Sequence, residues 1–148
     1  MTDVQLVRVF KTTPDRLYAV VTREADILNW FGYDGMRFPD HQMDLTQRGP
    51  WHLTMHAANG TQYRLSGQVT RVDPPRSVSF TWGWIDDTGK RGAESHVTFT
   101  IEDAGDGQAQ LTIDHRDLPT DEAAERHTQG WSMGAMPRLE RYLAQPPE

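Results

Sequence analysis

The sequence predicts an α+β domain: an antiparallel sheet of six to seven strands, two short helices after the first strand, and one long C-terminal helix. Three observations predict it. From Met36 onward, apolar and polar residues alternate over about eighty residues, the period of half-buried strands. Turn signals punctuate that stretch, Asn59-Gly60 being the strongest, so successive strands pair as hairpins. One amphipathic helix follows the last strand, and a sheet with a single apolar face needs such a cover.

Each element has its own local reason. Val4 to Phe10 is a short run dominated by Val, Leu and Phe, which suits an opening strand. Thr13 followed by Pro14 is a helix start, a side-chain cap before a proline in the first turn. A second short helix through "READILNWF" ends near Gly32. "PWHLTMHA" turns Trp51, Leu53, Met55 and Ala57 to one face, and "TQYRLSGQVTRV" does the same with Tyr63, Leu65, Gly67 and Val69. Pro74-Pro75 interrupts, after which Val78, Phe80, Trp82 and Trp84 share a face. The polar turn "IDDTGKRGAE" leads to Val97, Phe99 and Ile101; "DAGDGQ" then leads to Ala109, Leu111, Ile113 and His115 in phase. Thr120 caps the final helix, with Asp121 and Glu122 in its first turn, where the helix dipole favours them. Its buried stripe is Ala124, Trp131, Ala135, Leu139 and Tyr142.

That helix carries three breakers, Gly130, Gly134 and Pro137. Inside a helix Gly costs about 1 kcal/mol and Pro about 3 kcal/mol against Ala. We expect a kink between Met133 and Pro137, with Pro137 removing the bond to the Met133 carbonyl. The glycines would let the helix approach the sheet closely or leave volume for a ligand.

Composition narrows the function classes. The 148 residues suit one domain spanning 1–148, with only the "QPPE" tail reading as linker. There is no cysteine, so disulfides, thiol nucleophiles and thiolate metal sites are excluded. A net charge of -6 without a Lys/Arg run argues against nucleic acid and anionic membranes as partners. The N-terminus has too little apolar length for a signal peptide or a span, so a cytoplasmic location is expected.

Four segments, "NWFG", "MDLTQRGPWHLTM", "GQVTRVDPPRSVSFTW" and "ERHTQGW…RLERYL", resemble the START-like helix-grip (SRPBCC) superfamily, in the branch named after activators of the heat-shock protein 90 ATPase. The likeness spans nearly the whole chain, and Gly67 to Trp82 and the His127–Trp131 pair are its most specific pieces. Where that family often has Gly-Gly before the aromatic of the third strand, this chain has Gly49-Pro50. The resemblance implies a curved sheet gripping the long helix, with a cavity between them whose mouth lies near Trp30 and Phe31. Fold alone assigns no activity.

Six histidines raise a metal hypothesis. On a strand, His52 and His56 stand about 13 Å apart, too far to share one zinc, and His41 points away from Asp40 and Asp44. We therefore expect no metal and no cofactor. "HRDLPTDE" imitates the opening of a kinase catalytic loop, but Glu122 stands where Asn is required and the remaining kinase motifs are missing. No nucleophile elbow, phosphate loop or dinucleotide fingerprint occurs.

The aromatic residues carry more information. Trp30, Phe31, Trp51, Tyr63, Trp82 and Trp131 are candidate cavity residues, with His115 and Met133 beside them. All of them equally suit an ordinary core, each aromatic burying about 150–250 Å². Three functions fit this pattern. The first is binding of a small apolar or amphipathic ligand between sheet and helix, in a stress-related role. The second is a protein contact, with a chaperone ATPase as the family resemblance implies or with a second copy of the chain. The third is a cyclase- or isomerase-like enzyme in which His115 or Asp44 moves a proton.

Overall fold

The computed structural model describes residues 2–145; Met1 and the Pro146-Pro147-Glu148 end of the expected linker tail lie outside the described residues. The chain runs β1 (Thr2–Phe10), α1 (Pro14–Thr22), α2 (Glu24–Trp30), β2 (Arg37–Gln42), β3 (Gly49–His56), β4 (Gln62–Asp73), β5 (Ser77–Ile85), β6 (Ser95–Gly105), β7 (Gln108–Leu118), α3 (Asp121–Gln129) and α4 (Met136–Leu143). Residues Gly130–Ala135 join α3 to α4 as a π-helical segment.

The strands form one antiparallel sheet in the order β1-β7-β6-β5-β4-β3-β2. Strands β2 to β7 are successive hairpins, and β1 closes against β7 with Leu6 opposite Ile113. Turn chemistry sets the registers. Asn59 Oδ1 accepts from the Thr61 amide at 3.0 Å, and Gly60 supplies the positive φ of 93° that the β3–β4 turn needs. Bulges in β1, in β2, between Val69 and Arg71, and between Asp103 and Gly105 curve the strands.

The alternation read from the sequence becomes one continuous core. Trp51, Leu53, Leu65, Val78, Phe80, Phe99, Ile101, Leu111 and Ile113 are buried from the sheet side, and Trp131, Ala135, Leu139 and Leu143 from the helix side. Helix α1 begins as its sequence requires, with Thr13 Oγ1 accepting from the Arg16 amide and Pro14 in the first turn. Thr120 Oγ1 caps α3 through the Ala123 amide at 3.0 Å.

The breakers act differently from the expectation. The departure from α-helical hydrogen bonding starts at Gly130 and is a widened turn: the Met136 amide donates to Trp131 O, five residues back. Pro137 then falls in the first turn of α4. Gly134 permits a close approach, but to the α2–β2 loop rather than to the sheet. A Cβ there would stand 3.2 Å from Gly32 O and from the Tyr33 ring. At Gly130 an added Cβ would meet nothing within 4 Å.

Candidate ligand cavity

Sheet and helix do not close completely against each other. Between β5, the start of β6, the α2–β2 loop and the α3–π junction lies a cavity of about 520 Å³. Phe31, Met55, Trp82, Ser95, Trp131 and Ala135 form its buried walls. Tyr33, Tyr63, Trp84, Arg126 and Gln129 are exposed at its mouth. The walls are mostly ring faces: Trp82 lies 5.5 Å from Trp131 and 5.9 Å from Phe31, centroid to centroid, in tilted geometries.

Arg138 holds the loop side of the cavity in place. Its guanidinium donates to the carbonyls of Phe31, Tyr33 and Asn29, the last two at 3.0 and 3.2 Å. Beside it, Arg141 pairs with Asp34 at 2.7 Å. Helix α4 therefore fixes the backbone that presents Phe31 and Tyr33.

Two neutral histidines form the polar seam behind and beside the rings. His115 is fully buried. Its Nδ1 accepts from Trp131 Nε1–H at 3.2 Å, so Nε2 carries the proton and donates to Ser95 Oγ at 2.8 Å. Ser95 passes its own hydroxyl on to Trp82 O. Burial, with His127 and His96 nearby, lowers the His115 pKa to about 3. The His127 ring lies 4.8 Å from that of His115. Its Nδ1–H donates to Ala123 O at 2.7 Å, and its Nε2 accepts from Trp84 Nε1–H at 3.0 Å. Burial is also the main reason its pKa is lowered, with Arg126 adding to it against the Ala123 bond.

This architecture recurs in known proteins. The family model described as Activator of Hsp90 ATPase homolog 1-like protein matches residues 11–144. The chain belongs to this family. It is 45% identical to the AHSA1 protein from Silicibacter pomeroyi, whose crystal structure superposes with a TM-score of 0.91 over 97% of this chain and 98% of that one. A protein from Chromobacterium violaceum shares the fold at 21% identity, with a TM-score of 0.80 and 98% of each chain covered. So does DynU16, a putative protein in the dynemicin biosynthetic locus: 20% identity, TM-score 0.74, 95% of this chain and 46% of that one. No curated protein matches the chain.

Within this family member, the sequence-predicted site residues divide. Phe31, Tyr63, Trp82 and Trp131 line the cavity. Trp30 and Trp51 are core residues instead: their indole N–H groups are spent on Val20 O at 2.9 Å and Thr81 O at 3.0 Å. Met133 is 69% exposed and points away, because the π segment sets its position on the outer side of the helix. His115 sits behind the wall, with both ring nitrogens occupied, and so has no free site from which to move a proton. Asp44 lies in the β2–β3 connection, away from the cavity. Burial pushes its carboxyl upward, but hydrogen bonds from Thr46 and Gln47 outweigh that and lower its pKa.

Three other histidines, His41, His52 and His96, meet carboxylates on the surface, His96 with Asp117 at 2.9 Å. His52 meets Asp40 at 3.3 Å, and His41 meets Glu24 at 3.3 Å. Among the described residues no group of three or more metal-ligating side chains comes together, and no helix is long and apolar enough to cross a membrane.

Sequence reasoning did not single out His127, Trp84 or Tyr33 as site residues. For His127 a signal existed. It precedes Trp131 by four residues on one helix, which puts both rings on the same face.

Proposed function

We propose that the protein binds a small apolar or amphipathic molecule in the cavity between its sheet and its C-terminal helix. One observation carries this reading: about 520 Å³ of space walled by buried aromatic rings, beside one continuous apolar core. The cavity is open at its mouth, so an apolar molecule entering it would displace water from the ring faces. The family's shared sheet-and-helix architecture supports the same reading. Binding is favoured over histidine-based catalysis because His127 in the wall and His115 behind it are both committed at both ring nitrogens.

Native mass spectrometry and thermal shift against metabolite extracts test the proposal. A captured small molecule should raise the melting temperature, since a ligand at one hundred times its Kd adds about 2.7 kcal/mol. Extracts that yield neither adduct nor shift would refute it. The family description supports a second reading, modulation of a chaperone ATPase. An unchanged ATPase rate when the protein is added to the cognate chaperone would reject that one.

A further inference from the structure

We infer that the free edge of β1 is a self-association surface, on which a second copy of this chain pairs antiparallel about a two-fold axis at Val7. This pairing does not depend on what the cavity binds. The two ends of the sheet differ in how they are protected. Strands β1 and β2 are the outermost, so each leaves one row of backbone N–H and C=O groups without a strand partner. Strand β2 is guarded: it has six residues, carries Pro39, is irregular between Arg37 and Asp40, and exposes Asp40 and His41. Strand β1 has nine residues without proline or lysine, and its pairing is regular from Val4 to Phe10.

Its side chains repeat the contrast. Val7 and Val9 are 47% and 51% exposed, and neither lines the cavity. Val7 heads a cross-strand row with Thr112, Thr100 and Ser77 that contains no charge. An uncharged, largely β-branched row that ends at an unpaired backbone edge suits the addition of another strand.

Charge selects the occupant and its register. Asp3 stands at the start of the strand, and Arg8 and Lys11 lie toward and just past its end, all three exposed. A parallel second copy would set each charge near its like. An antiparallel copy brings unlike ends together, and such a pair closes as a two-fold dimer instead of growing into a filament. Outward side chains must oppose outward ones, which leaves Leu6, Val7 or Arg8 as the axis near the middle of the strand. An axis at Arg8 opposes two guanidinium groups, and one at Leu6 sets Val9 against the second copy's Asp3. With the axis at Val7, that valine meets its own counterpart and Val9 meets the second copy's Gln5. Asp3 then comes level with the second copy's Lys11, so this register alone joins apolar groups at the centre and opposite charges at both ends.

Sedimentation velocity on the whole protein, from about 1 to about 100 μM, should show monomer giving way to dimer by mass action. Val7→Lys sets two ammonium groups on the axis and should weaken the dimer at least about tenfold, whereas Val7→Thr should keep it. Both variants should stay folded by circular dichroism, because the side chain is half exposed. The chain has no cysteine, so single cysteines read the register. Directly opposed residues lie about 4.5–5.5 Å apart, within disulfide reach, so Val7→Cys should cross-link to itself on mild oxidation. Val9→Cys should not, since its two copies stand about 13 Å apart along the strands, but mixed with Gln5→Cys it should. A wild type that stays monomeric throughout overturns the inference and leaves the edge to an extended segment of another protein. A dimer that Val7→Lys does not weaken lies elsewhere on the surface and overturns it as well. Val9→Cys linking to itself as readily as Val7→Cys overturns the axis at Val7.

Discussion

Trp84 Nε1–H donates to His127 Nε2 at 3.0 Å, tying the end of strand β5 to helix α3 across the mouth of the cavity. This bond exists only while His127 is neutral. Nitrogen-detected NMR should show the Nδ1–H tautomer of His127 near neutral pH and a titration midpoint below the ordinary 6.5. Trp84→Phe keeps a ring but deletes the donor that favours the neutral form, so the midpoint should rise. Loss of this one bond should cost about 1 kcal/mol. An unchanged midpoint would show that Trp84 has no hold on the histidine.

His115 makes the fold sensitive to acid well above the range where carboxylates titrate. Its folded pKa, about 3, lies below the unfolded 6.5, so between those values the unfolded chain binds the extra proton. The contribution is fully present above about pH 6.5 and is lost progressively as pH falls toward 3. By pH 5 it should amount to a loss of about 2 kcal/mol relative to pH 7. Urea unfolding at the two pH values measures it. The histidine origin is checked with His115→Gln, which should flatten that slope while lowering stability at pH 7.

Gly67 on β4 leaves the space through which Trp51 of β3 reaches Thr81 O of β5. A Cβ at this position would collide with the Thr81 carbonyl oxygen and stand 2.6 Å from Trp51 Nε1. Gly67→Ala should therefore destabilise the protein by about 2–3 kcal/mol, seen as a lower urea midpoint with an unchanged slope. A neutral result would mean that the sheet yields at this point.

The two helix glycines should respond with opposite signs. Gly130 has helical torsions and open space at its Cβ position, so Gly130→Ala should stabilise by about 0.5–1 kcal/mol. Gly134 packs on Gly32 O and Tyr33, in a loop that Arg138 pins, so Gly134→Ala should lower stability by about 1 kcal/mol despite its better helix propensity. Thermal melts of the two variants side by side decide it.

Much of the fold was legible because it rests on short-range rules. Alternation assigned Leu53, Leu65, Phe80, Phe99 and Leu111 to the core, Asn59-Gly60 set a hairpin, and Thr13 and Thr120 marked helix starts. The cavity was only partly legible. Strand phase turns Trp51 and Trp82 inward, the helix stripe adds Trp131, and the family resemblance puts Trp30 near the mouth, but none of these says which ring faces a void and which fills one. That depends on whether each indole N–H finds an acceptor on another element: Trp30 finds Val20 O on α1 and Trp51 finds Thr81 O on β5.

By itself, then, the sequence determined the order of elements, the buried face of each strand and a helix built with unusual breakers. Only the tertiary structure decided what the breakers do. They make a π turn that begins at Gly130 beside open space and seats Gly134 against the Gly32–Tyr33 loop. It also decided that His115 and His127 are neutral and committed, since a ring nitrogen's role is set by partners on other elements: Trp131 and Ser95 for one, Trp84 for the other. Alternation is a property of neighbouring residues. A void and its charge balance belong to groups that meet only when the sheet and helix close on each other.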